Sequence, residues 1–397
     1  MSEKKARVKS TAFRYTKMNK YFAQINEDCK EIGVQELEEL GAQNLEPDYR
    51  GIYFTADNET LYKVIYQNRL FTRILAPLHR FDVHQEKALY YKSKEMDWDK
   101  IIPRDGTFAI FSNVGNNDHV THSQYASLLM KDGIADFFRD KYGNRPSVDR
   151  KNPDVWLNLF VNKNKATINL DLTGGAGFKR GYRTASVDAP LNENLGAAIV
   201  RHSGWDGSRP FLDPMAGSGT IALEAAMSYC RIPAGYLRKS FGCFHMPDFD
   251  QKLWDKQKAE ADAKIRPLPE NLIYVNDQDP EAIAAIRENA SNLPGLENLV
   301  ISEGDFRDLS EKRGFAILSN PPYGLRLKTE GKIEEFVRTI GDFLKQKCSG
   351  STAWLYFGER KLLRNVGLRS SRKIILFNSG LDGRLAKFDM YDGTLDP

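Results

Sequence analysis

A chain of 397 residues is long enough for two or three domains, each burying a core of its own. Apolar residues make up 41% and charged residues 28%, and no apolar run reaches the roughly 18 residues of a bilayer span, so a membrane role is excluded. Net charge is only +4, but residues 1–20 hold seven cations (Lys4, Lys5, Arg7, Lys9, Arg14, Lys17, Lys20) against Glu3, which leaves the rest of the chain slightly acidic. Such a basic tail can add salt-dependent affinity for a polyanion or act as a solubilising terminus. It lacks the apolar core of a secretory signal, so a cytoplasmic protein is expected. Four scattered cysteines (Cys29, Cys230, Cys243, Cys348) form no C-x-x-C pair and suggest neither disulfides nor a zinc site.

In chain order, YFAQI from Tyr21 reads as a strand, the run ending at Leu40-Gly41 as a helix stopped by glycine, and GIYFT from Gly51 as a second strand. Mixed α and β structure continues over 60–170, with helices expected around 59–75 and 122–139 and strands around 107–112 and 155–170. His119 and His122 form H-x-x-H without the four-residue spacing and glutamate of a zinc protease, and are read as structural. From 210 onward strands and helices alternate, the pattern of a doubly wound parallel α/β sheet. Strands are expected at 211–213, 272–277, 299–304, 315–319, 352–357 and 374–378, and helices at 219–229, 279–291 and 332–347. In such a sheet ligands bind at the carboxyl ends of the strands. A further basic stretch, Arg360 to Lys373, could line a polyanion groove or be a solvated face.

The first strand end reads Asp213-Pro214-Met215-Ala216-Gly217-Ser218-Gly219-Thr220 and runs directly into a helix. Glycines there allow a tight turn and close ligand approach, and the helix start offers free N–H groups to an anion. Gly217, Gly219 and Ala222 also satisfy the dinucleotide fingerprint. That fingerprint wants an acid about 20 residues on, whereas the next strand-end acid is Asp277, beyond a long inserted segment. Asp277, followed by Gln278, is suited to hold two ribose hydroxyls, while Asp279 could equally cap the helix that follows. Asp305 could accept from an adenine amino group and Phe306 pack on its ring, or the pair could form a plain turn.

The fourth strand leads into Asn320-Pro321-Pro322-Tyr323. Two prolines fix the backbone and remove two donors, which holds the Asn320 carboxamide and Pro321 carbonyl outward as acceptors for an exocyclic amine. Tyr323 offers a face on which a base taken from its stack can lie. No metal or covalent nucleophile is required.

D-P-M-A-G-S-G-T and N-P-P-Y together resemble the class I methyltransferases that act on amino nitrogens of nucleic-acid bases. With Leu170-Asp171-Leu172-Thr173-Gly174, Lys179-Arg180-Gly181-Tyr182-Arg183, Ala189-Pro190-Leu191, Glu193-Asn194-Leu195, Gly204-Trp205 and Asn378-Ser379-Gly380-Leu381-Asp382, the chain resembles the bacterial THUMP-domain 23S ribosomal RNA guanine-N2 methyltransferases over roughly residues 20–390. Behind the basic tail over 1–20, the resemblance implies a ferredoxin-like segment over 21–59, an RNA-binding THUMP domain over 60–171 that includes Arg145-Pro146-Ser147-Val148-Asp149, and a Rossmann-like methyltransferase domain over 172–397. It implies S-adenosylmethionine as cofactor, held by Asp213, Pro214, Gly217, Ser218, Gly219, Asp277, Gln278, Asp305 and Phe306, a target amine at Asn320 to Tyr323, and 23S rRNA or a large-subunit precursor as partner. Three features depart from the family: Ala216 where many relatives have cysteine, Glu27-Asp28-Cys29-Lys30 in place of Gly-Leu-Glu, and an ending at Pro397 without the second methyltransferase domain that some relatives carry. The expected activity is methylation of guanosine N2; the alternatives are adenine N6 in DNA, a guanosine of tRNA, a catalytically silent RNA-binding protein and a dinucleotide oxidoreductase. The residues leave oligomeric state open.

Overall fold

The computed structural model describes residues 13–177, 179–187, 190–322, 332–378 and 381–391. Two sheets organise them. The first has eight strands, β1 (Lys20–Gln24), β2 (Gln43–Asp48), β3 (Gly51–Thr55), β4 (Arg73–Asp82), β5 (Thr107–Gly115), β6 (Ser147–Val148), β7 (Val155–Asn162) and β8 (Lys165–Asp171), in the order β2-β3-β1-β4-β8-β7-β5-β6. It is accompanied by α1 (Arg14–Met18), α2 (Lys30–Glu39), α3 (Asn58–Gln67), α4 (Lys87–Lys94) and α5 (Ser123–Tyr142). Because β4 pairs with β1 on one side and β8 on the other, the sheet continues unbroken from the first strand to residue 171.

Two local expectations are corrected here. The helix expected to 75 stops at Gln67, where Asn68 leaves the helical region (ψ 143°) and its Nδ2 donates back to the Val64 carbonyl at 2.6 Å. The span 155–170 is a hairpin, β7 and β8 turning at Lys163, which adopts a positive φ of 51°.

The second sheet contains β9 (Phe211–Asp213), β10 (Ile273–Asp277), β11 (Val300–Glu303), β12 (Ala316–Ser319), β13 (Thr352–Phe357), β14 (Arg372–Asn378) and β15 (Leu381–Asp389), in the order β11-β10-β9-β12-β13-β15-β14. The first five run parallel. The strand expected at 374–378 is β14, but it lies at the sheet edge, antiparallel to β15, which sequence reading missed and which inserts beside β13. No helix separates β14 from β15, and so short a connection can only join antiparallel neighbours. Helices α6 (Glu193–Ser203), α7 (Thr220–Tyr229), α8 (Gln251–Asp262), α9 (Pro280–Ser291) and α10 (Lys332–Lys347) complete the unit. The α10 side chains Val337, Ile340, Phe343 and Leu344 pack with Leu212, Ile317 and Leu355 in one core layer, while α6, α7 and α9 contribute to the layer on the other face.

That second core layer is continuous with the core of the first sheet. The segment between α7 and β10 makes the joint. Its Phe241, Phe249 and Trp254 meet Tyr62 and Tyr66 of α3 at ring separations of 5.5 to 6.1 Å, and Tyr66 and Tyr15 donate to Asp262 and Asp248 at 2.7 and 2.8 Å. Gly242 is required for close approach, since a Cβ there would stand 1.8 Å from the Asp171 carbonyl oxygen. Deeper still, Arg180 (1% exposed) pairs with Glu224 at 3.2 Å and donates to the Arg69 and Gly177 carbonyls, while the Arg69 guanidinium donates to the Met227 and Ile232 carbonyls.

A charge left alone in such a place is costly. Arg180→Ala is expected to lower the stability of the full chain by about 3–5 kcal/mol by leaving Glu224 buried and unpaired, and Arg180→Met with Glu224→Met to cost less than the single change. Urea denaturation of the three proteins checks both; a double variant no more stable than Arg180→Ala would refute the electrostatic account.

Candidate active site

A cavity of about 800 Å³ opens at the carboxyl ends of β9, β10 and β12, lined among others by Asp213, Met215, Gly217, Asp277, Phe306 and Asn320. Its floor is the turn after β9. Gly217 and Gly219 take positive φ of 54° and 82°, a region costly for residues with a Cβ, and Gly219 caps α7. The Asp277 carboxylate sets the turn, accepting from the Gly217 N–H at 2.8 Å and from the Asp279 N–H at 3.0 Å. Asn276 carries three ties that sequence reading missed: its Nδ2 donates to the Pro214 and Gly304 carbonyls at 3.2 and 2.8 Å, and its Oδ1 accepts from Ser302 at 2.8 Å.

Asp213 is 1% exposed. It accepts from the Ser319 hydroxyl at 2.7 Å and the Met215 N–H at 3.3 Å, yet burial outweighs both bonds and pushes its carboxyl up to about 7, with the Asp277 charge acting in the same direction. Ser319 thus joins the site as an orienting donor. Asn320, the next residue, lines the cavity with a buried Oδ1 that has no hydrogen-bond partner among the described residues. An orphaned acceptor of this kind is destabilising by about 1–3 kcal/mol. An incoming N–H donor would satisfy it.

The other anticipated residues divide. Pro214, Ser218, Gln278, Phe306 and Pro322 line the same cavity, with Phe306 fixed edge-on against Phe336 and Phe343. Asp279 caps α9 through the Glu281 N–H at 2.9 Å and also borders the cavity. Gly219 and Pro321 support the wall without lining it. Asp305 is not brought in: its carboxylate caps the turn Phe306–Asp308 and is clasped by Arg307 at 3.0 Å, which holds it below the usual carboxylate range. Tyr323 lies outside the described residues. Among the described residues no group of three His, Cys, Asp or Glu could hold a metal, and the four cysteines are buried.

A second wall comes from residues ahead of α6. Ser186, Val187, Pro190 and Leu191 face the glycine turn. Asn289 of α9, fully buried, holds this strap with its whole carboxamide: Oδ1 accepts from the Thr184 and Ala185 N–H groups at 3.0 and 3.1 Å, and Nδ2 donates to the Ala185 and Ser218 carbonyls at 2.9 and 3.3 Å. Arg183 adds bonds to the Leu191 carbonyl at 2.8 Å and Thr220 Oγ1 at 2.9 Å. An asparagine inside a helix, where it is a poor former, was the available signal for this role. The site therefore brings a glycine turn, a fixed carboxylate, an aromatic side wall and an amide side chain whose oxygen has no partner among the described residues to one space.

The chain resembles known proteins over nearly its whole length. Residues 180–387 match the family model described as the RMKL-like methyltransferase domain, UPF0020, and residues 83–171 match the THUMP domain. The Synechocystis sp. protein slr0064, assigned by its name to the RNA methyltransferases, is 35% identical over 373 residues, covering 94% of this chain and 97% of its own. The ribosomal RNA large subunit methyltransferase K/L of Vibrio campbellii is 32% identical over 385 residues, covering 96% of this chain and 54% of its own, so the chain spans about half the length of the K/L relatives. A crystal structure titled as a possible methylase from Clostridium difficile 630 superposes with a TM-score of 0.82 at 24% identity, over 95% of this chain and all of that one, and shows the same fold.

The raised Asp213 carboxyl has a consequence for stability. Its ordinary value of 3.8 applies when unfolded and about 7 when folded, so the folded state holds the proton more tightly, and the stability this confers is complete below about pH 4 and lost as pH rises to 7. Asp213→Asn, which keeps an acceptor for Ser319, should gain stability relative to the parent between pH 5 and pH 8 by on the order of 2 kcal/mol. Parallel pH profiles in urea denaturation would count against the assignment.

Proposed function

The chain belongs to the RMKL-like methyltransferase family and carries a THUMP domain, and from that premise we propose that it transfers a methyl group from S-adenosylmethionine to the exocyclic N2 of a guanosine in 23S ribosomal RNA. The observation that carries the reading is Asn320, which lines the same cavity as the glycine turn and Asp277 and whose buried Oδ1 has no partner among the described residues. The K/L relatives, named for the large ribosomal subunit, support the substrate, and the THUMP domain supports RNA over DNA.

The residues present fit the cofactor. Asp277 is placed to accept from ribose hydroxyls while keeping its bonds to the turn, the N–H groups of the glycine turn suit a carboxylate, and Phe306 provides a wall for a purine. When bound, S-adenosylmethionine supplies a methyl group made electrophilic by its sulfonium. Asp305, committed to Arg307, stands outside the proposed set. Ser218 and Gln278 border the cofactor space, and Asn320 and Pro322 the space for the target amine.

In guanine the N2 lone pair is delocalised into the ring. Asn320 draws on an N–H of that amine as the nitrogen attacks, so its acceptor is satisfied most fully as positive charge develops there. The Pro321 carbonyl is the second proposed acceptor, held by the fixed proline backbone. Stacking of the flipped base on Tyr323 completes the proposal.

Mass spectrometry of ribosomal and transfer RNA from cells with and without the gene tests the function: loss of N2-methylguanosine from 23S rRNA is expected, and an unchanged 23S profile would refute it. Asn320→Ala should slow single-turnover methylation on the order of 10²-fold or more while cofactor and RNA affinities stay within a few-fold; a near-normal rate removes Asn320 from the chemistry. Asp277→Ala should weaken S-adenosylhomocysteine binding by about 1–3 kcal/mol in calorimetry and leave RNA affinity intact. Undiminished binding by that variant would take Asp277 out of the cofactor site.

A further inference from the structure

Strand residues alternate between faces of a sheet, and the eight-stranded sheet buries only one face as a conventional apolar core: Ile74, Leu157, Leu159, Ile168 and Leu170 point there, with Met130 and Ile134 of α5 in the same cluster. The opposite face has a different chemistry. Phe22 and Tyr53 lie against each other at 4.8 Å, Phe160 sits opposite Asn113 and Thr167 in the strand register, and Asn158 and Asn169 form an amide pair at 2.9 Å. A cleft of about 260 Å³ runs between these groups, the scale of one or two planar rings, with the β2–β3 turn residues Tyr49 and Arg50 at its rim, the guanidinium 5.4 Å from the ring centre.

Three of its amides have capacity to spare. Asn169 uses its Nδ2 toward Asn158 and the Thr167 carbonyl, which leaves its Oδ1 free to accept, and the side-chain amides of Gln24 and Asn113 have no partner among the described residues. Amides beside aromatic faces are what an unpaired base requires, hydrogen-bonding groups for its edge and a surface for its ring. The cleft also adjoins a groove of mixed charge. Tyr53 and Asp48 border both, and Arg14, Lys20, Glu46 and Arg80 line the second, with Lys20 paired to Glu46 at 2.5 Å. The twelve residues before Phe13 carry four further cations against one acid. The Arg14 and Arg80 cations beside an amide-lined recess match a phosphate chain that presents a base sideways.

We propose that this cleft binds unpaired nucleotides of the RNA substrate, one base on Phe160 with its edge met by Asn113 and Asn169, a neighbour on Tyr53 beside Gln24, and the phosphates on the Arg14 and Arg80 side. The proposal rests on the reading of RNA as substrate but not on the identity of the methylated atom. It places an anchoring site on the first sheet, separate from the cavity at the end of the second.

The test uses the full chain and fluorescence anisotropy with a labelled unpaired RNA of roughly ten nucleotides, a duplex RNA of the same sequence, and S-adenosylhomocysteine binding as an independent control. Tyr53→Ala and Phe160→Ala should each weaken binding of the unpaired strand about 10-fold, and Asn113→Ala, at an exposed position that does not support the core, several-fold. Duplex binding and S-adenosylhomocysteine affinity should be unchanged for Asn113→Ala and Tyr53→Ala, and the melting temperature unchanged for Asn113→Ala. Unaltered binding of the unpaired strand by these two variants, or an equal loss for the duplex, would overturn the proposal. Loss of single-strand binding in an enzyme that methylates an atom other than guanine N2 would leave the cleft standing and remove the proposed target.

Discussion

Everything at the candidate active site follows from parallel pairing of three neighbouring strands. With β10 and β12 flanking β9 in parallel, Val275 beside Asp213 and Ile317 beside Leu212, all three strands end at the same edge, where β9 stops first and its neighbours pair only with the strands outside them. Asp277, the glycine turn and Asn320 are delivered to one place by that geometry, although they are distant in sequence. Side chains then do what the ladder no longer can: Asp277 takes the Gly217 N–H, Ser319 donates to Asp213, and Asn276 fastens the ends of β9 and β11.

The same edge carries an electrostatic tension. Asp213 is buried with two donors, too few to keep its carboxyl in the ordinary acidic range, and Asn320 presents an acceptor to which no described residue donates. Both are unfavourable in the ligand-free protein, and both sit where a cationic, donor-rich pair of ligands is proposed. Neither the Arg180–Glu224 pair nor the Asn289 carboxamide shows such a deficit.

What could be read in the sequence was local. The strand at 211–213, the strand at 352–357 and the helix at 332–347 match the structure residue for residue, because each is a contiguous apolar run or a periodic face closed by clear stop signals. Asp277 and Asn320 were found because short motifs carry their own chemistry. The strap from 182 to 191 was noticed only as a family likeness, since it has no periodicity and its position depends on Asn289, about a hundred residues away. Asp305 looked like a ligand for an adenine amine until Arg307, two residues on, was seen to occupy it. The missing β15 shows a different gap: an antiparallel strand inserted into a parallel sheet is a long-range choice that β-propensity does not encode.

The joint between the two sheets has a further meaning. Tyr62, Tyr66, Trp254 and the buried Arg180 make one core of what could have been two hinged bodies, and opening that core would expose rings and a charge together. A protein so built holds its two sheets at one distance and one orientation. On the proposed reading it would act as a caliper of fixed gap, and the nucleotide reached would depend on its span from the point of attachment as much as on the letter it bears.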